Sequence, residues 1–243
     1  MRQNRLNDAA IVLQRVFSQA GIKFGIFGGY AIGVLGGFRE TKDIDCMVAA
    51  SKNEVLKLLQ RKDGFIAVPQ KRQDYIAFLW SNRHGKEYPV LVEIFCETFP
   101  EAVFSMGKVP TVTLPIVGQA FGAGQSTFLD PVYIFRGKLQ AAGQRGRYHD
   151  AADLRWLEQR FRKSLRQSKC LFNIQDVGLA MARYPELEPL FERLGINTLA
   201  ASLTVDGLDL KAGLGCGVGN VQKGILAPAN FFRLASALLL MIH

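Results

Sequence analysis

The chain has 243 residues, 49 % of them hydrophobic and 21 % charged, which excludes a disordered protein and allows one large domain or two small ones. Its net charge of +9 is uneven: between Arg136 and Lys169 ten Lys or Arg stand against three Asp or Glu. A segment of that kind is either a solvated basic helix face or a surface for polyanions such as a nucleoside triphosphate, RNA or an acidic membrane.

The first residues, Met-Arg-Gln-Asn-Arg-Leu-Asn-Asp, are polar and lack the apolar core of a signal peptide. Leu6, Ile11, Leu13, Val16 and Phe17 then recur at roughly helical spacing, and Gly21 ends the run, so residues 6–20 are expected to be a helix. Lys23–Phe27 reads as a short buried strand that meets Gly28-Gly29 and passes into a helix from Tyr30 to about Leu35, broken by Gly36-Gly37. A second strand is expected at Asp43–Val48. Ser51 with Glu54 three residues later is a capping-box signature for a helix over 51–62. Phe65–Val68, Tyr75–Trp80 and Val90–Phe95 complete the expected strands, with the polar 81–86 as a turn.

Near residue 125 the pattern changes. Asp130-Pro131 is a helix start, with Asp as cap and Pro at the first helical position. Helices are expected at Val132–Ala142 and Tyr148–Leu165, and weaker ones near 173–183 and 187–194. The Gly-rich 207–224 reads as loop before a last apolar helix near Asn230–Met241. Its most apolar run, Leu238–Ile242, is far short of the roughly 20 residues that a membrane span needs. The four cysteines form no C-x-x-C pair, against both a zinc site and a disulfide framework. The expectation is an α/β half, residues 1–125, followed by a mostly helical half, residues 126–243, in a cytoplasmic protein with no membrane segment. Its oligomeric state is left open.

The chemistry is concentrated in Phe27-Gly28-Gly29-Tyr30-Ala31 and Arg39-Glu40-Thr41-Lys42-Asp43-Ile44-Asp45. Asp43 and Asp45, two apart on a strand, project from the same face a few ångströms from each other. Like charges that close repel unless a proton or a cation intervenes. A hard divalent ion such as Mg²⁺ takes carboxylate oxygens while keeping positions for water and phosphate. Gly28-Gly29 at a strand-to-helix turn would let backbone amides approach phosphate. Glu93 is the lone acid in Val90-Leu91-Val92-Glu93-Ile94-Phe95. It either lies on the solvent face of an alternating strand or answers a metal or cation, because burying an unpaired carboxylate is costly.

In order and spacing, G-G-Y-A-x₇-R-x-T-x-D-I-D resembles the signature of the DNA polymerase β-type nucleotidyltransferase superfamily. It looks most like the minimal members: lincosamide- and aminoglycoside-modifying nucleotidyltransferases, and the nucleotidyltransferase toxins of abortive-infection systems. The resemblance implies a mixed sheet with flanking helices. It also implies a third carboxylate on a later strand, for which Glu93 is the candidate, although an Asp is more usual there. Asp130-Pro131-x₆-Lys138-x₂-Ala141-x₃-Arg145-x₄-Asp150-x₂-Asp153-Leu154 is similar to the helices that follow the catalytic unit in these enzymes. There a Lys at the place of Lys138 reaches the triphosphate, and His149 stands where Lys is more usual. Asp150 and Asp153 read as structural residues pairing with Arg145 and Arg147.

The resemblance implies transfer of a nucleoside monophosphate from an Mg-bound triphosphate, with Mn²⁺ open to the same donors. Asp43, Asp45 and Glu93 would be the catalytic and metal-binding residues. Gly28, Gly29, Arg39, Thr41 and Lys138 would bind nucleotide, with Arg39 and Thr41 alternatively steadying the metal loop. An RNA 3′ end, a protein hydroxyl and a small hydroxylated molecule are all open as acceptors, the basic segment favouring RNA. The alternative is a non-catalytic nucleotidyltransferase fold that binds RNA or protein.

Overall fold

The computed structural model describes residues 3–82, 88–208 and 217–227. They form two compact units, one of the described residues up to 130 with 218–222 and the other of the described residues 131–217 with 223–227. Among the described residues, no helix is long and apolar enough to cross a membrane. The expected final helix at Asn230–Met241, His84, Glu87 and most of the 81–86 turn lie outside the described residues.

The first unit is a seven-stranded mixed sheet with flanking helices. Its strands are β1 (Phe24–Phe27), β2 (Asp43–Ser51), β3 (Phe65–Val68), β4 (Tyr75–Trp80), β5 (Val90–Thr98), β6 (Thr111–Val117) and β7 (Ala123–Leu129), in the spatial order β3-β4-β5-β2-β1-β7-β6. β2 is central, parallel to β5 and antiparallel to β1. Because side chains alternate across a strand, Ile44, Cys46 and Val48 of β2 share one face with Val92, Ile94 and Cys96 of β5, and all six are fully buried. Helix α1 (Gln3–Gln19) covers that face with Leu6, Ala9, Ala10, Leu13 and Phe17. Phe17 meets Phe24 at 5.2 Å between ring centroids, and Ser126 Oγ donates to the Ala10 carbonyl.

Two strands, β6 and β7, occupy a stretch for which the sequence predicts none. β6 alternates exposed and half-buried residues along most of its length and contains Pro115, tolerable because β6 is an edge strand. Its turn to β7 is held from a distance. The buried Asp8 carboxylate of α1 accepts the amides of Ala120 and Phe121 at 3.0 Å, and Asn7 Nδ2 donates to the Val117 carbonyl. Helix α3 (Lys52–Leu59) starts where β2 ends. Ser51 Oγ accepts the Glu54 amide, while the Glu54 carboxylate accepts the Ser51 amide at 2.7 Å, so both halves of the capping box are made.

The second unit is helical: α4 (Pro131–Arg145), α5 (Tyr148–Gln167), α6 (Ile174–Arg183), α7 (Glu188–Arg193) and α8 (Thr198–Leu203). Small residues allow close helix packing, with Gly143 of α4 against Leu179 and Gly178 of α6 against the Ala201 carbonyl of α8. Glu158, nearly inaccessible on α5, is bridged by Arg162 and by Arg193 of α7. Residues 220–224, expected as loop, belong to helix α9 (Asn220–Leu226).

Candidate active site

The face of β2 opposite α1 carries Asp43 and Asp45. Asp45 pairs in register with Glu93 on one side and Phe27 on the other, and Asp43 pairs with Leu91. Residues paired in register on neighbouring strands share a face, so Asp43, Asp45 and Glu93 do so. From strand geometry, the Cα atoms of Asp45 and Glu93 are about 5 Å apart and those of Asp43 and Glu93 about 8 Å. All three acids are half-buried.

Each acid is positioned by a neighbour. Thr41 Oγ1 donates to Asp43 Oδ1 at 2.7 Å. Tyr75 Oη donates to Glu93 Oε1 at 2.5 Å. Asp45 rests over the turn between β1 and helix α2 (Gly28–Val34), where Gly28 has φ +71° and a Cβ there would lie 2.0 Å from Asp45 Oδ2. Only glycine satisfies both the backbone and the approach. Gly29 is less confined: its Cβ would fall 3.0 Å from Arg39 Cζ and 3.2 Å from Thr41 Oγ1, side-chain atoms that would have to give slightly. Gly28, Gly29, Arg39, Thr41, Asp43, Asp45 and Glu93 are thus one neighbourhood of the first unit.

Tyr75 is a member of this neighbourhood that the sequence does not disclose. Its ring lies against Phe95, with centroids 5.2 Å apart, and Phe95 in turn meets Phe27 at 5.6 Å. Burial, the hydrogen bond to Glu93 and the nearby charges of Glu93 and Asp45 push its phenol well above the usual range, so it stays a donor. Behind it Asp74, with no exposed surface, accepts Arg72 Nε at 3.0 Å and a terminal Arg72 nitrogen at 2.7 Å. Burial raises the Asp74 carboxyl, but Arg72 and the Gly219 amide outweigh burial and hold it below the usual carboxylate range. Glu97, two residues beyond Phe95, accepts the Met106 amide and serves the backbone there.

The donor chemistry of Asp43, Asp45 and Glu93, carboxylates flanked by hydroxyls, suits a hard divalent ion. Among the described residues, no group of three or more His, Cys, Asp and Glu converges to close a metal centre unaided.

The chain matches no protein-family model and no curated protein. Among solved structures it is similar to an antigenic nucleotidyltransferase-like protein from Paracoccidioides brasiliensis, with a TM-score of 0.53 and 18 % identity over 78 % of this chain and 93 % of that one. The fold is of the nucleotidyltransferase type. A further match is the structure of ANT(2″)-Ia in complex with adenylyl-2″-tobramycin, with a TM-score of 0.43 and 14 % identity over 74 % of this chain and 97 % of that one.

The second unit contains Lys138. Its ammonium lies 2.7 Å from Asp153 Oδ2 and 3.2 Å from Asp150 Oδ1, and its side chain is 5 % exposed. Asp150 also accepts Arg145 through both carboxylate oxygens. Burial raises Asp150, while Lys138 and Arg145 more than reverse this and hold it below the usual range. Asp150 and Asp153 therefore tie α5 to α4, with Lys138 as the shared cation. Trp80 of the first unit is 1 % exposed and donates to the Asp63 carbonyl.

Proposed function

We propose that this chain is a nucleotidyltransferase that moves a nucleoside monophosphate from an Mg²⁺-bound triphosphate to an acceptor. The acceptor hydroxyl attacks the α-phosphorus and forms a new P–O bond. The bond from that phosphorus to the α–β bridging oxygen breaks, and pyrophosphate leaves. The acceptor proton passes to Glu93, whose Oε1 is taken by Tyr75 and whose second oxygen remains as a base.

The observation that carries this reading is the register of β1, β2 and β5, which sets Asp43, Asp45 and Glu93 on one face beside the Gly28 turn. Asp43 and Asp45 hold the triphosphate side and Glu93 the acceptor side. Bound Mg²⁺, or Mn²⁺ in its place, would neutralise charge on the triphosphate and on the departing pyrophosphate. Gly28 and Gly29 leave room for backbone amides to meet phosphate, with Arg39 and Thr41 next to them. In this scheme Lys138 meets phosphate only by exchanging a carboxylate of Asp150 or Asp153 for it. RNA is the acceptor class favoured by the surplus of seven cations between Arg136 and Lys169, of which Arg160, Arg162, Lys163, Arg166 and Lys169 are exposed.

Each labelled triphosphate, incubated with the protein, Mg²⁺ and total RNA, tests the reading. Label in RNA with matching pyrophosphate release, both abolished by chelator, is the expected result. Lysate protein and aminoglycosides serve as the competing acceptors. No transfer to any of them, together with no Mg²⁺-dependent thermal shift from triphosphate, would leave a non-catalytic binding module.

A further inference from the structure

We propose that Tyr75 is a positioning residue for Glu93, aimed by the Arg72–Asp74 pair. The inference rests on the nucleotidyltransferase reading above. Glu93 is a flexible side chain that must present one particular oxygen to whatever it serves. It makes a single described side-chain hydrogen bond, from Tyr75 Oη to Oε1, and this bond selects which oxygen is left for the site. Tyr75 touches none of the atoms proposed to react.

The register explains how Tyr75 reaches Glu93. On β4 it pairs with Phe95, two residues beyond Glu93 on β5, so its side chain rises over the Phe95 ring and runs diagonally back. The ring is fixed from two sides. Phe95 packs against it, and the Arg72 guanidinium lies over it, with Cζ 5.4 Å from the ring centroid. Arg72 in turn is held in a fork by Asp74.

Asp74 has little freedom to move. Its carboxylate also accepts the Gly219 amide at 2.7 Å, and its carbonyl accepts the Cys96 amide at 2.9 Å and Gln222 Nε2 at 2.9 Å. Gln222 is fully buried and reaches the Cys96 carbonyl as well. Residues 218–222, far along the chain, thus belong to the first unit and close the far side of this assembly. Asp74 receives five hydrogen bonds, three on its carboxylate and two on its carbonyl, and with Arg72 placed over the tyrosine ring the group is costly to order. Besides anchoring residues 218–222, they hold the Tyr75 ring and so fix its phenol on Glu93. Partners that orient a metal-ligating carboxylate in this manner typically matter ten- to a hundredfold for metal affinity.

The test uses the full chain with Mn²⁺ as a spin-active probe and a mixture of the four α,β-methylene ribonucleoside triphosphates, which cannot react. The fall in free Mn²⁺ signal beyond that caused by the triphosphates without protein reports binding. Tyr75→Phe retains the ring on Phe95 and removes only the donor, so it folds. Its Mn²⁺ affinity in the presence of triphosphate is expected to fall at least about tenfold. In a Glu93→Gln background the same change is expected to do nothing more, because Tyr75 acts only through Glu93. Wild-type affinity in Tyr75→Phe, or an undiminished loss in the Glu93→Gln background, overturns the proposal and leaves the nucleotidyltransferase reading intact. Wild-type protein that binds no Mn²⁺ with triphosphate overturns both.

Discussion

Gly28 lies so close beneath Asp45 that a Cβ on the glycine would sit 2.0 Å from the carboxylate oxygen Oδ2. The turn from β1 into α2 and the position of the acid are therefore one structural fact. Gly28→Ala forces a non-glycine residue to φ +71°, which costs about 1–2 kcal/mol for the backbone alone, and displaces Asp45 as well. Urea unfolding should show that loss of stability, and the Mg²⁺-dependent thermal shift with triphosphate should vanish in the same variant. Wild-type stability would mean the turn tolerates a side chain and that Asp45 is not held by it.

The carboxylates themselves give a prediction of opposite sign. Three negative charges share one face of β1, β2 and β5 within about 8 Å of Cα separation. Asp45→Asn removes one of them and relieves repulsion, so the ligand-free variant should melt no lower than wild type. It should nevertheless lose at least about a hundredfold in transfer rate, the scale of removing one contact to transition-state charge. Paired melting curves with and without Mg²⁺ and triphosphates measure both effects. Identical responses in the two proteins would remove Asp45 from the site.

These two residues also show how far the sequence was legible. β1 to β5 were readable because each is a run of apolar or β-branched residues between turn signals. α3 was readable because Ser51 and Glu54 announce a capping box that is fully formed. β6 and β7 were not, since Thr111–Val117 carries a Pro and Ala123–Leu129 carries Gly, Gln and Ser. Their pairing depends on Asp8, more than a hundred residues earlier in the chain, holding the turn between them. The three acids stood out by type and spacing, whereas Tyr75 did not. Its contact with Glu93 exists only through the β4–β5 register, and a tyrosine opening a strand has no local sign of that.

Ser51 provides a control far from this chemistry. Its hydroxyl accepts the Glu54 amide, and the Glu54 carboxyl, held below its usual range by the Ser51 hydroxyl and amide, completes the box. Ser51→Ala should lower stability by about 1 kcal/mol and leave triphosphate binding unchanged. An altered Mg²⁺ response would imply that the end of β2 moves with α3.

Asp176 on α6 carries a pH dependence of its own. Burial raises its carboxyl to about 6 from an ordinary 3.8, although Lys223 and Arg136 partly oppose the rise. A folded value above the unfolded one means that its stabilising share is complete below about pH 3.8 and is lost as pH climbs through 6. Above that, the charged form costs up to about 3 kcal/mol. Asp176→Asn should therefore match wild type in stability near pH 4 and exceed it at pH 7. A constant difference across that range would show that the carboxylate is better compensated than its surroundings indicate.

Lys138 supplies the last prediction, because its surroundings assign it a role in stability whatever it does with phosphate. Its ammonium is nearly inaccessible between Asp150 and Asp153, and Asp150 is further met by Arg145 and, at 3.8 Å, by His149, a cation only when protonated. Lys138→Met keeps the volume and removes the cation, leaving two buried carboxylates undercompensated. Breaking a buried ion pair from one side costs about 3–5 kcal/mol, and chemical unfolding at pH 7 should find a loss of that order. The sign of its pH dependence follows from Asp150, whose folded value is depressed below the ordinary 3.8. Such a group stabilises the fold above its unfolded value, and that share is lost as pH falls through the folded one. The gap between wild type and variant should accordingly be widest near neutrality and narrow below about pH 4. Triphosphate titrations at a temperature where both proteins are folded separate the second role. If Lys138 exchanges a carboxylate for phosphate, the variant binds more weakly and its affinity depends less on salt. Equal affinity and equal salt dependence would confine Lys138 to joining α4 and α5.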